Sequence, residues 1–505
     1  MQDSHNSLQP ETQTGVSGAL LVFSILSLPL LYFPITLIWD SSTALSISCL
    51  LGILVVVPIF LSRYPKGAFY TLLCYLPFAG TVIYALGGNP SLSLIKDAFY
   101  LAALIGVIKF CRQEKQPILL PQAIRAPLGL VFSVSILTIA FTNLPDQIQG
   151  IDGALPLVMG IWGLKVLLGY VPLIACTYYL IRTEKDFYFL MRLQVVLILI
   201  ACTLGTIQFL LLQTGICAGT QGQGEELFRA SLNARCFVGG SLLYSPEVGI
   251  TKLPGTFVAP WQWGWFLLSG IFFSFCTAFR DETRLWRMLG SVAIVAITVS
   301  LIISDQRLML ILLLPSALFL MAMAGHIKDL KRFIPISLLL AGLLLYLIFR
   351  DPTILANNTG DLISQQPFFQ PHAFLQEQFS QVWQTQEGFF GHGVGRATNS
   401  ARAYGKTVLI ETYHPKLLYE LGPWGLISVL VMYGTVIFST FKAYRSTQNP
   451  RLKAYAAAMW AFVLLIGLFP YYYPLDVEPV NVYFWVAAGL TLKLPQLAKP
   501  SGLGK

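Results

Sequence analysis

The chain carries little charge for its size. Only 11% of its 505 residues are Asp, Glu, Lys or Arg, and 55% are hydrophobic, whereas a soluble domain has about 25% charged residues. Apolar runs long enough to cross a bilayer, about 17–25 residues each, recur along nearly the whole sequence. This composition excludes a soluble protein and predicts an all-α polytopic membrane protein with 12–14 transmembrane helices and two long external loops.

The apolar runs give fourteen predicted spans, of which three are weak or short. The predicted spans are 18–38, 42–62, 68–86, 93–110, 127–142, 154–181, 188–213, 258–278, 288–303, 307–325, 333–349, 415–441, 454–472 and 477–493, and the weak ones are 93–110, 127–142 and 288–303. Grouped by region, the chain divides into transmembrane segments at 18–213, 258–349 and 414–493, with external loops at 214–257 and 350–413.

The two ends of the chain are polar, and the first apolar run lacks the features of a cleaved leader. The first apolar run has no basic region before it and continues into further spans, so we expect no cleavable signal peptide. Residues 1–17 are polar and predict a disordered tail, and residues 494–505 predict a second tail. No repeat of solenoid period is present.

The net charge of +9 does not form the single basic face that nucleic-acid binding requires. Instead, 22 of the 33 Lys and Arg residues gather in seven short connectors. These connectors are Arg63/Lys66, Lys109 to Arg125, Arg182 to Arg192, Arg280 to Arg287, Lys328 to Arg332, Lys442 to Lys453, and Lys493 to Lys505. If all seven face the cytoplasm, fourteen helices alternate correctly and both termini lie inside, as the positive-inside rule expects.

Six of the eight cysteines lie in or beside predicted spans, and the other two share one external loop. Cys217 and Cys236 could form a disulfide if that loop faces an oxidising compartment. They could equally remain two free thiols, because connectivity is not encoded in spacing.

The second external loop, 350–413, is too long for a passive connector. Within it, "PHAFLQEQFSQVWQTQEGFF" (371–390) has apolar residues at helical spacing. These are Phe374, Leu375, Phe379, Val382 and Trp383. The amphipathic helix so predicted either lies along the membrane surface or packs on the core of its own loop.

A histidine and several basic residues stand where this loop ends and an apolar run begins. His414, in "ETYHPKLLYELGPWGL", could act as a general base or could cap the helix that follows. Upstream, "GHGVG" (391–395) precedes Arg396, Arg402 and Lys406. A Gly-rich turn followed by cations is typical of a phosphate cradle. It is not a nucleotide-binding motif, since no strand precedes it and no GK[ST] follows.

Other charged residues interrupt apolar runs. Asp305 and Arg307, in "IISDQRLMLILLL", are either functional or an internal ion pair at a hairpin tip. Lys96, Asp97 and Lys165 also lie in or near spans, and we interpret them as internally paired structural groups.

The segment "LPGTFVAPWQWGWFL" (253–267) leads from the first external loop into a span. Its tryptophans at 261, 263 and 265 suit a belt at the membrane interface. Such a belt leaves Gln262 unexplained.

Three of these stretches, taken together, resemble the O-antigen ligase and O-antigen polymerase superfamily of bacterial membrane glycosyltransferases. "GTFVAPWQWGWFL" is similar to the family's Gly-Thr-Phe segment, "SDQRLML" to its Ser-Arg turn, and "GHGVG" with "ETYHPKLLYELGPWGLI" to its long loop ending in a histidine. The resemblance covers about 250–430. Pro415 follows the histidine where the family usually has Asn, Trp261 stands near its usual Asn, and Asp305-Gln306 precede Arg307.

The resemblance implies an enzyme of the bacterial cytoplasmic membrane with a periplasmic catalytic face. Its donor would be a glycan on polyprenyl diphosphate, and its acceptor a hydroxyl of a saccharide, lipid A core or protein. It implies no cofactor, no metal and no nucleotide sugar, and one displacement that inverts the anomeric centre. Both ligase and polymerase fit.

The resemblance also assigns roles to residues. His414 would be the catalytic base, and Arg307 and Arg396 would bind the diphosphate. The predicted substrate-binding residues are Arg402, Lys406, Glu411 and Gln262, with Glu411 or Glu420 as candidates to orient His414. The alternative of a different class is a transporter or flippase for lipid-linked oligosaccharide, for which matched ionisable groups at mid-membrane would be expected.

Overall fold

The computed structural model describes residues 57–86, 90–150, 154–220, 235–245, 250–323, 342, 371–386 and 388–498. The predicted span 18–38, nearly all of 333–349, most of 42–62, the tail 1–17 and most of the tail 494–505 lie outside the described residues. The described chain is mostly helical and has very little strand, as predicted for an all-α polytopic membrane protein.

Most of the described helices follow one another with short connections, apart from the two long loops and the segment between the helices Pro371–Thr385 and Tyr413–Ser446. In chain order they are α1 (Pro65–Tyr75), α2 (Ala79–Ala85), α3 (Ile95–Gln113), α4 (Arg125–Thr138), α5 (Leu144–Gln149), α6 (Pro156–Leu168), α7 (Leu173–Leu180), α8 (Glu184–Gln213), α9 (Pro260–Arg280), α10 (Arg284–Ile303), α11 (Arg307–Met323), α12 (Pro371–Thr385), α13 (Tyr413–Ser446), α14 (Pro450–Leu468) and α15 (Val480–Leu497). A hairpin of β1 (Leu243–Ser245) and β2 (Ile250–Lys252) lies between α8 and α9.

Eight helices of the described chain are long and apolar enough to cross a membrane. They are Pro65–Ala85, Gln122–Gln149, Pro156–Leu180, Glu184–Gln213, Pro260–Arg280, Arg284–Ile303, Tyr413–Ser446 and Pro450–Leu468. Each overlaps a span predicted from the sequence. α3 and α15 also coincide with predicted spans as helices, but they are not among these eight.

The chain forms two compact units. The first comprises Met1–Ile118, Ala175–Leu180 and Ile200–Trp263. In it, α1 packs against α3 so closely that a Cβ on Gly106 would lie 2.5 Å from Cβ of Pro65. The loop before α9 is tied to α2 and the turn before it by hydrogen bonds from Thr256 to Pro77 and from Thr81 to Thr256.

The loop between α8 and α9 is covalently closed. Cys217 and Cys236 form a disulfide, which resolves the alternative that the sequence left open. Cys236 lies in a small apolar core with Leu242, Tyr244 and Leu253. Leu212 of α8 belongs to the same core, so the loop packs on the end of that helix.

The second unit comprises Leu119–Ile174, Ile181–Leu199 and Gly264–Lys505. Its centre is α13, which packs against α4, α12, α14 and α15. The phenol groups of Tyr413 and Tyr433 hydrogen-bond at 2.8 Å within this core.

Ion pairs join three of the basic connectors at one end of this unit. Arg192 donates two hydrogen bonds to Asp281, at 2.9 and 2.8 Å, and Arg451 pairs with Glu282 at 2.8 Å. The connectors around residues 192, 281 and 451 therefore share one end, as the charge pattern predicts.

The tryptophan belt predicted at the start of α9 is wrong for two of its three members. Trp263 and Trp265 are 1% and 0% exposed. Trp263 packs against Gly255 and Phe257, and Trp265 makes an edge contact with Phe469. α9 is buried on nearly all sides, so its aromatic rings fill the protein core instead of meeting lipid headgroups.

The amphipathic helix predicted over 371–390 is present as α12, which ends at Thr385, and its buried face packs both on its own loop and on α13. Val382 is buried in a cluster with Ala397, Ile410 and Leu418. Trp383, the next residue, is 63% exposed. The side of α12 that carries Val382 therefore packs on the protein, as in the second of the two alternatives.

Candidate functional site

The Gly-rich turn "GHGVG" is packed directly against two helices. Gly391 and Gly395 have positive φ angles of 66° and 83°. A Cβ on Gly395 would lie 2.1 Å from the carbonyl oxygen of Met159, and one on Gly391 would lie 2.6 Å from that of Tyr419. Glycine is needed here for both the backbone conformation and the close approach.

The amides of this turn donate inside the protein. The Val394 N–H donates to Oδ1 of Asn143 at 3.0 Å, and the amide of Asn143 donates to the Val394 carbonyl at 3.0 Å. The His392 N–H donates to the Tyr419 carbonyl at 2.7 Å. A phosphate cradle needs free N–H groups. The prediction of such a cradle is therefore wrong for the amides of His392 and Val394, which hold the loop in place instead.

Glu420 holds the segment that follows the turn. Its Oε1 accepts hydrogen bonds from the Ala397 N–H at 2.8 Å and from the Thr398 hydroxyl at 3.0 Å. Lys416 donates to Thr398 at 3.0 Å and pairs with both Glu420 and Asp476. All three charged groups are buried, and mutual pairing offsets their desolvation.

His414 lies in the first turn of α13, beside Tyr413. Its Nε2 is buried, and within the described chain the ring makes no hydrogen bond. In the described chain, neither Glu411 nor Glu420 forms a hydrogen bond with His414. The carboxylate of Glu420 accepts hydrogen bonds from Ala397 and Thr398 instead, so the expectation that Glu420 orients the histidine is wrong. A buried imidazole nitrogen without a protein partner can accept a proton from a bound hydroxyl.

The backbone just before His414 is fixed by the loop between α14 and α15. The Tyr472 N–H donates to the Glu411 carbonyl at 2.8 Å, and Thr412 pairs with Tyr471 in an antiparallel bridge. The Tyr413 N–H donates to the Pro470 carbonyl at 2.5 Å. Burial raises the pKa of the Glu411 carboxyl.

The predicted cations differ in their surroundings. The Nη2 of Arg396 donates to Asp146, whereas its Nε is buried without a hydrogen-bond partner in the described chain. Arg402 and Lys406 are exposed. Neither forms an ion pair or a side-chain hydrogen bond with another described residue, so both cations are available to a ligand.

Two predicted site residues have local partners. Arg307, the first residue of α11, pairs with Asp305 at 2.8 Å, as in the hairpin-tip alternative. It makes no hydrogen bond or ion pair to the 391–414 segment in the described part. Gln262 lies in the first unit and accepts a hydrogen bond from the Val258 N–H at 3.2 Å, so it caps the start of α9.

A cavity of about 230 Å³ opens beside the loop. It is lined by Ala397, Asn399, Arg402, Thr407, Val408, Leu409 and Tyr473. Tyr472 and Tyr473 both have positive φ angles, of 52° and 36°, which is costly for bulky residues. The pKa of Tyr473 is raised to about 12, first by burial and then by the nearby Glu411 and Tyr472, whereas Arg402 acts in the opposite direction.

Sequence reasoning missed Asp146, Asp476, Asn399, Thr407 and Tyr473. The two aspartates carried a usable signal. Each stands in a short connector that the predicted topology places on the same side as His414, where acidic partners for the basic loop would be sought. The neutral residues carried no such signal.

Compared with models of known protein families and with curated proteins, the chain matches none. Any conclusion about function therefore has to rest on the sequence and on the described residues.

Proposed function

We propose that the protein is a membrane glycosyltransferase that moves a glycan from polyprenyl diphosphate to an acceptor hydroxyl in surface polysaccharide assembly. The observation that carries the proposal is the buried, unpartnered Nε2 of His414 at the start of an apolar helix. A loop bearing Arg396, Arg402 and Lys406 precedes it. A lipid carrier keeps its tail in the bilayer and its diphosphate at the surface, and this arrangement suits such a donor.

The proposed reaction is one displacement. His414 takes the proton of the acceptor hydroxyl, and the hydroxyl oxygen forms a bond to the anomeric carbon. The bond between that carbon and the diphosphate oxygen breaks, and polyprenyl diphosphate leaves with the electron pair. The configuration at the anomeric carbon inverts.

Arg396 supplies the fixed positive charge in this proposal. Its pair with Asp146 orients the guanidinium, and its remaining N–H groups stabilise charge growing on the leaving diphosphate. Arg402 and Lys406, which lack protein partners in the described chain, attract the donor. Arg307 contributes if it is released from Asp305.

Two features of the chain support a proposal for the side of the membrane on which the site lies. A disulfide between Cys217 and Cys236 is typical of an oxidising compartment. Basic connectors such as those around residues 192, 281 and 451 are typical of the cytoplasmic side. These features support the proposal that the site faces the periplasm from a bacterial cytoplasmic membrane, with both termini inside.

The test is transfer in vitro by the full chain in lipid nanodiscs. The protein is given a polyprenyl-diphosphate glycan and saccharide, lipid A core or protein acceptors, with and without EDTA. Wild type and a His372→Gln control, changed at an exposed histidine of α12, are expected to transfer. His414→Gln is expected to lose about 100-fold or more. Full activity of His414→Gln would refute the catalytic role.

A transporter is the second candidate, and buried ionisable groups favour it. Lys96 and Asp97 are 5% and 6% exposed in the first turn of α3, and Lys96 donates to the Ser93 carbonyl. A transporter would move lipid-linked glycan between leaflets of a liposome and would lose this activity in Lys96→Met. Movement without transfer on any acceptor would favour it over the enzyme.

A further inference from the structure

The cavity beside the loop is lined by polar side chains that the protein does not use. Asn399, Arg402, Thr407 and Tyr473 contribute an amide, a guanidinium and two hydroxyl groups. None of the four side chains makes a hydrogen bond or ion pair with another residue in the described ranges. Elsewhere in this loop, Thr398, Arg396 and Ser400 are all engaged. Polar groups left free around a shared cavity are available to a ligand.

The walls between these groups are apolar. Ala397, Val408 and Leu409 line the same cavity. Tyr473 adds an aromatic ring with a polar tip, which can contact an apolar surface and hydrogen-bond at once. The cavity therefore presents an apolar surface with a rim of donors and acceptors.

The backbone that presents Tyr473 is strained. Two successive tyrosines, Tyr472 and Tyr473, have left-handed φ angles. Such conformations persist only where the surrounding structure enforces them, and they concentrate at functional sites. The bridge from Thr412 to Tyr471 and the hydrogen bond from Tyr472 to Glu411 supply that enforcement.

These features match a sugar ring better than a diphosphate. Hydroxyl and amide groups both donate and accept, as the hydroxyls of a sugar do, whereas a diphosphate only accepts. A pyranose ring also has an apolar C–H face. One cation, Arg402, lines the cavity, and its volume of about 230 Å³ is below the range of about 300–1,000 Å³ for drug-sized ligands. A cavity of that size can hold one sugar ring, with the remainder of the glycan outside it.

We propose that the cavity lined by Asn399, Arg402, Thr407 and Tyr473 is a subsite for one sugar ring of the glycan. The inference rests on the proposed function and adds to it the group that the loop recognises. The ring belongs to the donor glycan or to the acceptor glycan, and kinetics distinguishes the two sources. The site is separate in role from His414, which handles the proton.

The variants are Asn399→Ala and Tyr473→Phe, in the full chain in nanodiscs. Tyr404→Phe is the matched control, since Tyr404 lies in the same loop and packs on Trp162 without lining the cavity. Transfer is measured with donor and acceptor varied separately. The expected result is a rise of about tenfold in KM for one of the two substrates, with kcat nearly kept and the control unchanged. The substrate affected identifies the source of the ring.

A second measurement does not depend on transfer. Saturation-transfer NMR of lipid-free repeat-unit oligosaccharide is recorded with wild type, both variants and the control, and then with added inorganic pyrophosphate. Sugar signals that weaken in both variants and persist with pyrophosphate support the subsite even if no transfer occurs, which would refute only the proposed function. Unchanged KM values and unchanged sugar signals in both variants would refute the subsite. Displacement of the sugar by pyrophosphate would assign the cavity to phosphate instead.

Discussion

The carboxylate of Glu420 accepts a hydrogen bond from the backbone N–H of Ala397 at 2.8 Å. The two residues lie 23 positions apart in sequence. This contact joins α13 to the loop that carries Arg396 and Arg402. The same carboxylate is thereby unavailable to His414, so Glu420 positions the loop and does not orient the base.

Glu420→Gln is expected to lower the free energy of unfolding by about 2 kcal/mol, since hydrogen bonds to a charged group become neutral ones. Thermal unfolding in detergent measures the change. Glu377→Gln, at an exposed position of α12, is the control and should change stability by less than about 0.5 kcal/mol. Equal melting temperatures for both variants would contradict the positioning role.

Gly422→Ala is expected to destabilise the break in α13. Gly422 has φ 72° and ψ −176°, and a Cβ there would lie 2.2 Å from the Phe389 carbonyl oxygen. A backbone with positive φ and extended ψ is essentially restricted to glycine and costs about 1–3 kcal/mol for a residue with a Cβ, and the clash adds to it. The measurement is the thermal midpoint in detergent.

Gly434→Ala provides the matched control on the same helix. Gly434 has open space around its Cβ position, so alanine should be neutral or stabilising by about 0.5–1 kcal/mol. If Gly422→Ala were as stable as Gly434→Ala, the close contact between the break and the loop would not exist.

Glu411 should give stability a pH dependence. Burial raises its pKa above the ordinary value of 4.5, so the folded state binds the proton more tightly than the unfolded state. The contribution to stability is therefore full below the ordinary pKa and is lost as pH rises through the raised one. Glu411→Gln is expected to remove this decline, measured as the thermal midpoint across that interval. An identical decline in wild type and Glu411→Gln would refute the assignment, and Glu377→Gln should keep it.

The variant Asp146→Asn is expected to disturb the orientation of the Arg396 guanidinium with little effect on the stability of the protein. The pair is partly exposed, so its loss should cost less than about 1 kcal/mol. The guanidinium loses its fixed direction, and we expect glycan transfer to fall about tenfold or more, equivalent to about 1.4 kcal/mol of barrier. Glu282→Gln, which disrupts the exposed pair with Arg451, should leave transfer intact. Unchanged transfer in Asp146→Asn would remove Arg396 from the mechanism.

The sequence by itself determined the helices and where the charges lie between them. Hydropathy along a run such as 188–213 is a local property, and α8 (Glu184–Gln213) forms there because a bilayer requires every backbone group to bond within its own helix. The position of His414 at the start of an apolar helix was equally local. Charge bias placed the connectors at residues 192, 281 and 451 on one side, where ion pairs join them.

Only the tertiary structure decided which polar groups meet. Arg396 pairs with Asp146, 250 positions away. Arg402 and Tyr473 line the same cavity although two helices, α13 and α14, separate them in the sequence. It also decided that Trp263 and Trp265 face protein and not lipid headgroups. The apolar periodicity of a helix is the same whether its apolar face packs on lipid or on another helix. What that face contacts is therefore decided only when segments distant in sequence pack together.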